Sequence, residues 1–155
     1  MTELRFTIPG PPVPKGRPKF RVFMMRGHPK VSTYTPAETV EAEKLVRLAA
    51  RNVKPRTLLA GPLSVALVFV IERPAYHAKL KVLPTWCDKL PDIDNYIKLV
   101  LDALKGYLFE NDGQIARMPD AVKIYGDNPR TEVTIRTLTE DEAPGSESSL
   151  SLFKT

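Results

Sequence analysis

Four residues in the window PDIDNYIKLVLDALKGYLFENDGQ, residues 91–114, have the chemistry of a cutting site: Asp92, Asp94, Lys98 and Asp112. Asp92 and Asp94 form an Asp-x-Asp pair where a helix begins. Lys98 follows four residues past the second aspartate, and Asp112 sits in a polar turn beyond the helix. Hard divalent cations such as Mg²⁺ take oxygen ligands and keep several of their waters. Carboxylates that converge from separate elements, with a cation beside them, suit metal-dependent cleavage of a phosphodiester.

The helix that must position them is legible from its spacing. Ile93, Ile97, Val100, Leu101 and Leu104 recur on one side. Asp94, Asn95, Lys98, Asp102 and Lys105 occupy the opposite arc, about a quarter-turn wide at roughly 100° per residue. Asp94, Lys98 and Asp102 therefore lie along one line. Chain order brings Asp112 back toward this face through the turn after the helix. A plainer reading stands beside the chemical one. An aspartate at a helix start caps free N–H groups and suits the helix dipole, and Asp94 with Lys98 would make an ordinary i,i+4 surface pair. Asp102 fits either a supporting role behind the site or a plain surface acid.

The rest of the chain supplies strands and a second helix. Leu4, Phe6 and Ile8 alternate with Arg5 and Thr7, and Pro9-Gly10 ends that strand. Seven prolines in residues 9–36 argue against helix there. Lys19 to Met25 and Val31 to Tyr34 read as two short paired strands. Pro36 and the acids Glu38 and Glu41 begin a helix over about residues 37–52. LSVALVFVIE, residues 63–72, is a well-buried strand. Residues 73–90 form a long loop. The second helix runs over about 92–106. Gln114 to Tyr125 reads as a strand interrupted near Pro119, and Glu132 to Leu138 as the last strand, with Gly126-Asp127-Asn128-Pro129 as the turn between them. The sum is an α+β domain: a small mixed β-sheet packed with two main helices. Residues 1–138 form this domain, and the acidic, Ser-rich tail 139–155 is expected to be disordered.

Composition narrows the partners. The chain has 155 residues, enough for one sizeable core, and a net charge of +5 with pI ≈ 9.4. Four of its acids (Glu140, Asp141, Glu142, Glu147) and one base (Lys154) fall in the tail, so the body is more basic than the whole. A basic body suggests a polyanionic partner, with nucleic acid first. A single cysteine, Cys87, excludes an intrachain disulfide, argues against a Cys-rich zinc site and suits a reducing cytoplasm. The first residues lack the apolar run of a secretion signal. The stretch Leu63 to Ile71 is too short to span a membrane as a helix.

Between Leu4 and Ala37 there is no acidic residue. Arg5, Lys15, Arg17, Lys19, Arg21, Arg26 and Lys30 lie there with Phe20 and Phe23 interleaved. This is either a solvated, proline-stiffened loop or a surface on which Lys15, Arg17, Lys19 and Arg21 follow a phosphate backbone. In the 73–90 loop, Arg73 and the lysines Lys79, Lys81 and Lys89 are candidates to grip DNA arms. Trp86 suits stacking on an unpaired base, a hydrophobic anchor, or a dimer contact. His28 and His77 are isolated, with no metal-ligand spacing.

PDIDNYIKLVLDAL followed by NDGQI resembles the signature of the RusA family of Holliday-junction resolvases, and PGPPVPKGRPKF resembles that family's opening segment. The similarity extends over roughly residues 5–137, with separated motifs in the family's order. It implies a homodimeric, Mg²⁺-dependent endonuclease, with Mn²⁺ as a substitute ion, that nicks four-way DNA junctions symmetrically. It implies that Asp92, Asp94 and Asp112 bind the metal and that Lys98 serves catalysis. The family commonly has two adjacent acids before the x-Gln. Here the first is Asn111, so only Asp112 is carried over. Two alternatives stand: a silent module that binds branched or duplex DNA, and a nuclease for flaps or single strands.

Overall fold

Eight strands and two α-helices are present in a computed structural model that describes residues 1–79 and 85–145. In chain order they are β1 (Glu3–Pro9), β2 (Lys19–Met25), β3 (His28–Tyr34), α1 (Ala37–Ala50), β4 (Leu63–Glu72), β5 (Thr85–Trp86), α2 (Ile93–Leu104), β6 (Ile115–Arg117), β7 (Ala121–Gly126) and β8 (Arg130–Thr137). The main sheet has the order β1-β8-β4-β7-β5, with β6 also paired to β4. β4 is antiparallel to β8 and parallel to β6 and β7, so the sheet is mixed. The α+β arrangement expected from the sequence is the one observed.

Alternation along β4 builds the core. Leu63, Val65, Leu67 and Phe69 are buried against Val46 and Ala50 of α1, against α2, and beside Val133 and Ile135 of β8. Full burial of each large side chain contributes about 1.5–3 kcal/mol. The expected face of α2 needs correcting. Tyr96, Leu99, Val100, Ala103 and Leu104 are its buried residues, whereas Ile93, Ile97 and Leu101 are only partly buried. The helix packs on both α1 and the sheet, which widens the buried arc toward Tyr96 and Ala103. The Tyr96 ring lies 5.3 Å from Phe69. Burial, then the nearby Cys87, raises the Tyr96 hydroxyl pKa. This anchor fixes the rotation of α2 and turns Asp94 and Lys98 outward.

Pro119 splits the expected 114–125 strand into β6 and β7, which pair with successive stretches of β4. β3 starts at His28 because Arg26 and Gly27, at φ 52° and 76°, make a two-residue turn that places Met25 opposite His28. Within the long loop lie a 3₁₀ turn, Ala75–Lys79, and β5. Lys81 lies outside the described residues. In the acidic tail, Glu140–Glu142 forms a 3₁₀ turn, with Glu142 bound to Arg136 at 2.7 Å. Residues 146–155 lie outside the described part.

Candidate active site

Asp92 and Asp94 share one groove with Trp86, Cys87, Asp88, Lys89, Leu90 and Lys123. Asp92 is the N-cap of α2, with extended backbone and no side-chain capping bond. Its carbonyl accepts from the Asn95 N–H at 3.2 Å, but its carboxylate stays available. Among the described residues, neither Asp92, Asp94 nor Lys98 has an ion pair or a side-chain hydrogen bond, and all three are exposed. The plain capping role and the Asp94–Lys98 surface pair are therefore both unmet.

Lys123 supports this end of the helix, and the sequence offered no signal for it. Its main-chain carbonyl accepts from the Cys87 N–H at 3.0 Å. Its ammonium donates to the carbonyls of Lys89 and, at 2.7 Å, Pro91. One residue of β7 thus fixes the segment that delivers Asp92. Only the sheet register brings Lys123 to this position. Tyr125, on the same strand, has its hydroxyl pKa raised first by a hydrogen bond with Cys87 and then by burial.

Asp112 does not return to this end within one chain. It lies in the 3₁₀ turn Asp112–Gln114 and binds Lys105 at 3.3 Å. The eleven residue steps from Asp94 to Lys105 rise about 16 Å along a helix axis. The turn is fixed where it stands. Asn111 and Gln114 cap it reciprocally, and the Gln114 side-chain amide donates to the carbonyls of Leu59 and Gly61 at 2.9 and 3.1 Å. The expected convergence of three aspartates is thus absent from a single chain. Among the described residues no cluster of three metal-ligating side chains forms. The remaining Asp92/Asp94 pair still fits Mg²⁺, which is commonly held by one or two carboxylates together with substrate phosphates.

The basic arm divides into two parts. Gly16 lets it approach α1. Its N–H donates to Thr39 Oγ1 at 3.1 Å, and a Cβ there would lie 2.7 Å from that oxygen. Lys15 donates its N–H to the Asn95 carbonyl at 2.8 Å. Its ammonium lies between Glu43 at 2.5 Å and Asp102 at 2.9 Å. Partial burial acts to lower its pKa, but the hydrogen bonds and charges of the two acids outweigh it and raise the pKa overall. Lys15, expected on a phosphate, is engaged within the fold here by both acids. Arg17, Lys19 and Arg21 are exposed and, among the described residues, have no ion pair or side-chain hydrogen bond. Arg73 pairs with Asp127 at 3.3 Å.

Lys19 and Arg21 belong to the β2-β3 ribbon, every residue of which is exposed. Its register separates two faces. Lys19, Arg21, Phe23 and Met25 stand beside Tyr34, Ser32, Lys30 and His28; Phe20, Val22 and Met24 stand beside Thr33, Val31 and Pro29. The second face is almost wholly apolar. A two-stranded ribbon alone is marginal in water, so this face calls for a cover.

A sequence profile described as "Endodeoxyribonuclease RusA" matches residues 9–136. The chain belongs to the RusA endodeoxyribonuclease family. The RusA match takes in the arm, the ribbon, both helices and the main sheet apart from β1. Membership implies DNA cleavage, and RusA proteins act on branched DNA. The chain is also 30% identical over 146 residues to "Uncharacterized protein YqaN" of Bacillus subtilis (strain 168), covering 90% of this chain and 99% of that protein. Among the described residues no helix is long and apolar enough to cross a membrane.

Proposed function

We propose that this RusA-family chain is a Mg²⁺-dependent endonuclease that resolves four-way DNA junctions by paired nicks, acting as a homodimer. One observation carries the reading: Asp92, Asp94 and Lys98 stand exposed along one end of α2 without an ion pair or side-chain hydrogen bond among the described residues. Exposed charges that stabilise no described native contact are available for substrate.

The separation of Asp112 from that pair supports a dimer. A second copy, related by two-fold symmetry, would present its own Asp112 to Asp92 and Asp94 and receive the reciprocal contact. The apolar face of the ribbon, Phe20, Val22, Met24 and Val31, is surface for such a contact. Mg²⁺, or Mn²⁺ in its place, would be held by the three aspartates and would supply Lewis acidity toward the phosphate and a neutral-pH source of hydroxide. Lys98 sets an ammonium on the same face, where it offsets negative charge that builds on the phosphate during cleavage. Lys123 keeps Asp92 in place through the carbonyls of Lys89 and Pro91. Arg17, Lys19 and Arg21 follow the backbone of the DNA arms. Two paired sites match the near two-fold symmetry of a four-way junction.

A binding module without cutting activity is the second reading. The separation of Asp112 from Asp92 and Asp94 in one chain favours it. A nicking assay in Mg²⁺ on four-way junction, flap and linear duplex separates the readings. The proposal expects symmetric nicks in the junction above all. Binding without nicks on any substrate contradicts it, and nicks confined to flaps move the activity to another substrate.

A further inference from the structure

The exposed rim of the Asp92/Asp94 groove has no role in the chemistry above. Trp86 is 74% exposed and Leu90 80% exposed, and both line the groove that holds the two aspartates. Exposed apolar surface of this size is unfavourable in water. The Trp86 backbone is nevertheless tied to the sheet. It pairs with Ile124 on β7, Thr85 pairs with Tyr125, and the next N–H, of Cys87, is bound to the Lys123 carbonyl. Lys123 then clamps Lys89 and Pro91 on either side of Leu90. The backbone is therefore tied down where an aromatic and an aliphatic side chain line the same groove as the carboxylates. Trp86 also borders a second hollow, lined by Tyr76, His77 and Tyr125.

We infer that Trp86, with Leu90 beside it, is a stacking site for an unpaired nucleobase next to the phosphate that a divalent cation at Asp92 and Asp94 would engage. This rests on the nuclease reading of the groove. The argument is spatial. A site that cuts a strand must leave room for that strand, so the wall of the groove is a wall for substrate. Every nucleobase has a flat face that an indole accepts, and stacking of this kind needs no sequence-specific hydrogen bond. Apolar side chains such as Leu90 also serve as wedges between unstacked bases. The site would favour DNA in which a base beside the scissile phosphate has left its helix, as at a branch point. Duplex ends and continuous helices would not offer one.

The chain has one tryptophan, so its emission reports on this site alone. The test uses the full chain with Ca²⁺ in place of Mg²⁺, which neutralises the carboxylates, with two probes of equal length: a thymidine oligonucleotide and an abasic phosphate–deoxyribose strand. The inference expects quenching by the first and none by the second. Trp86→Ala should weaken binding of the thymidine strand by about 5- to 150-fold and leave abasic-strand binding unchanged, while Trp86→Phe restores most of the loss. Equal weakening for both strands, absence of quenching, or failure of the wild-type chain to bind either strand overturns it. So does an emission shift that follows protein concentration without DNA, which would place Trp86 against a second copy. Nicking of junctions by wild type separates the two levels. Nicking that persists unaltered in Trp86→Ala, with equal strand binding, removes the stacking site and keeps the nuclease; base-dependent quenching without nicking does the reverse.

Discussion

Asp94 and Asp102 are the same residue type on one face of α2, two turns apart, and they meet opposite fates. Asp102 receives the Lys15 ammonium at 2.9 Å, and Glu43 of α1 shares it. These charges tie the proline-rich arm across both helices. Among the described residues Asp94 receives no ion pair or side-chain hydrogen bond, nor does Lys98 between them. The difference does not come from the side of the helix, which the two positions share, although Asp94 lies in the first turn and Asp102 in the last. It comes from where the arm crosses. The lesson is that a line of alternating charges on a helix divides into a structural part and a working part only when the rest of the chain is folded against it.

The comparison is broken most severely at Asp94. Asp94→Asn should reduce cleavage to background with melting temperature and junction binding unchanged, whereas Asp102→Asn should lower the melting temperature and leave cleavage near the wild-type rate. Lys98→Met should slow cleavage by about 10²–10³-fold, the usual cost of one charge-stabilising donor. Parallel cleavage assays and thermal melts check all three, and exchange of the Asp94 and Asp102 phenotypes would reverse the assignment.

A smaller effect is expected at the support beneath Asp92. Lys123→Met leaves the Lys89 and Pro91 carbonyls without their donor. Residues that orient metal ligands typically matter by about 10–100-fold in affinity or activity. Mn²⁺ binding followed by electron paramagnetic resonance should weaken by that factor, and unchanged binding would remove Lys123 from the site.

Lys15→Met sharpens the structural half. It leaves Glu43 and Asp102 facing each other and should destabilise the fold by about 1–2 kcal/mol, given hydrogen bonds to charged groups that are partly open to solvent. For a chain of this length that lowers the melting temperature by about 2–8 °C. The raised Lys15 pKa carries a sign. The stabilisation is fully present below the unfolded lysine value and is lost as pH rises through the higher folded value, so a melt series at alkaline pH should fall more steeply for wild type than for Lys15→Met. The smallest expected change concerns DNA affinity. Neutralising Arg17, Lys19 and Arg21 together should flatten the salt dependence of junction binding by about 2.5–3 in slope, at roughly 0.9 per phosphate, and Lys15→Met should leave that slope alone.

Much of this was legible in the chain. β4 and α2 declared themselves by period, and the Asp-x-Asp pair lay at the helix start where the spacing put it. Local pattern did not tell where Asp112 goes. Chain order says that a turn follows the helix, but Gly106, at φ 69°, and the Gln114 bonds to Leu59 and Gly61 decide its direction. Nor did pattern separate Lys15 from Arg17. Their distinction arises from Glu43 and Thr39, which α1 brings from a separate part of the chain. Lys123 was silent for the same reason: its neighbours at Lys89 and Pro91 are set by strand register. The core face of α2 was placed too narrowly because a wheel counts one contact surface and this helix has two.

The composite site is tested most directly by mixing Asp94→Asn and Asp112→Asn chains, each inactive alone. If one protomer's Asp112 completes the other's Asp92/Asp94 pair, each mixed dimer regains one intact site. Random exchange should then restore nicking to about a quarter of the wild-type level. No recovery, under conditions where subunit exchange is demonstrated, would contradict a site shared between two chains.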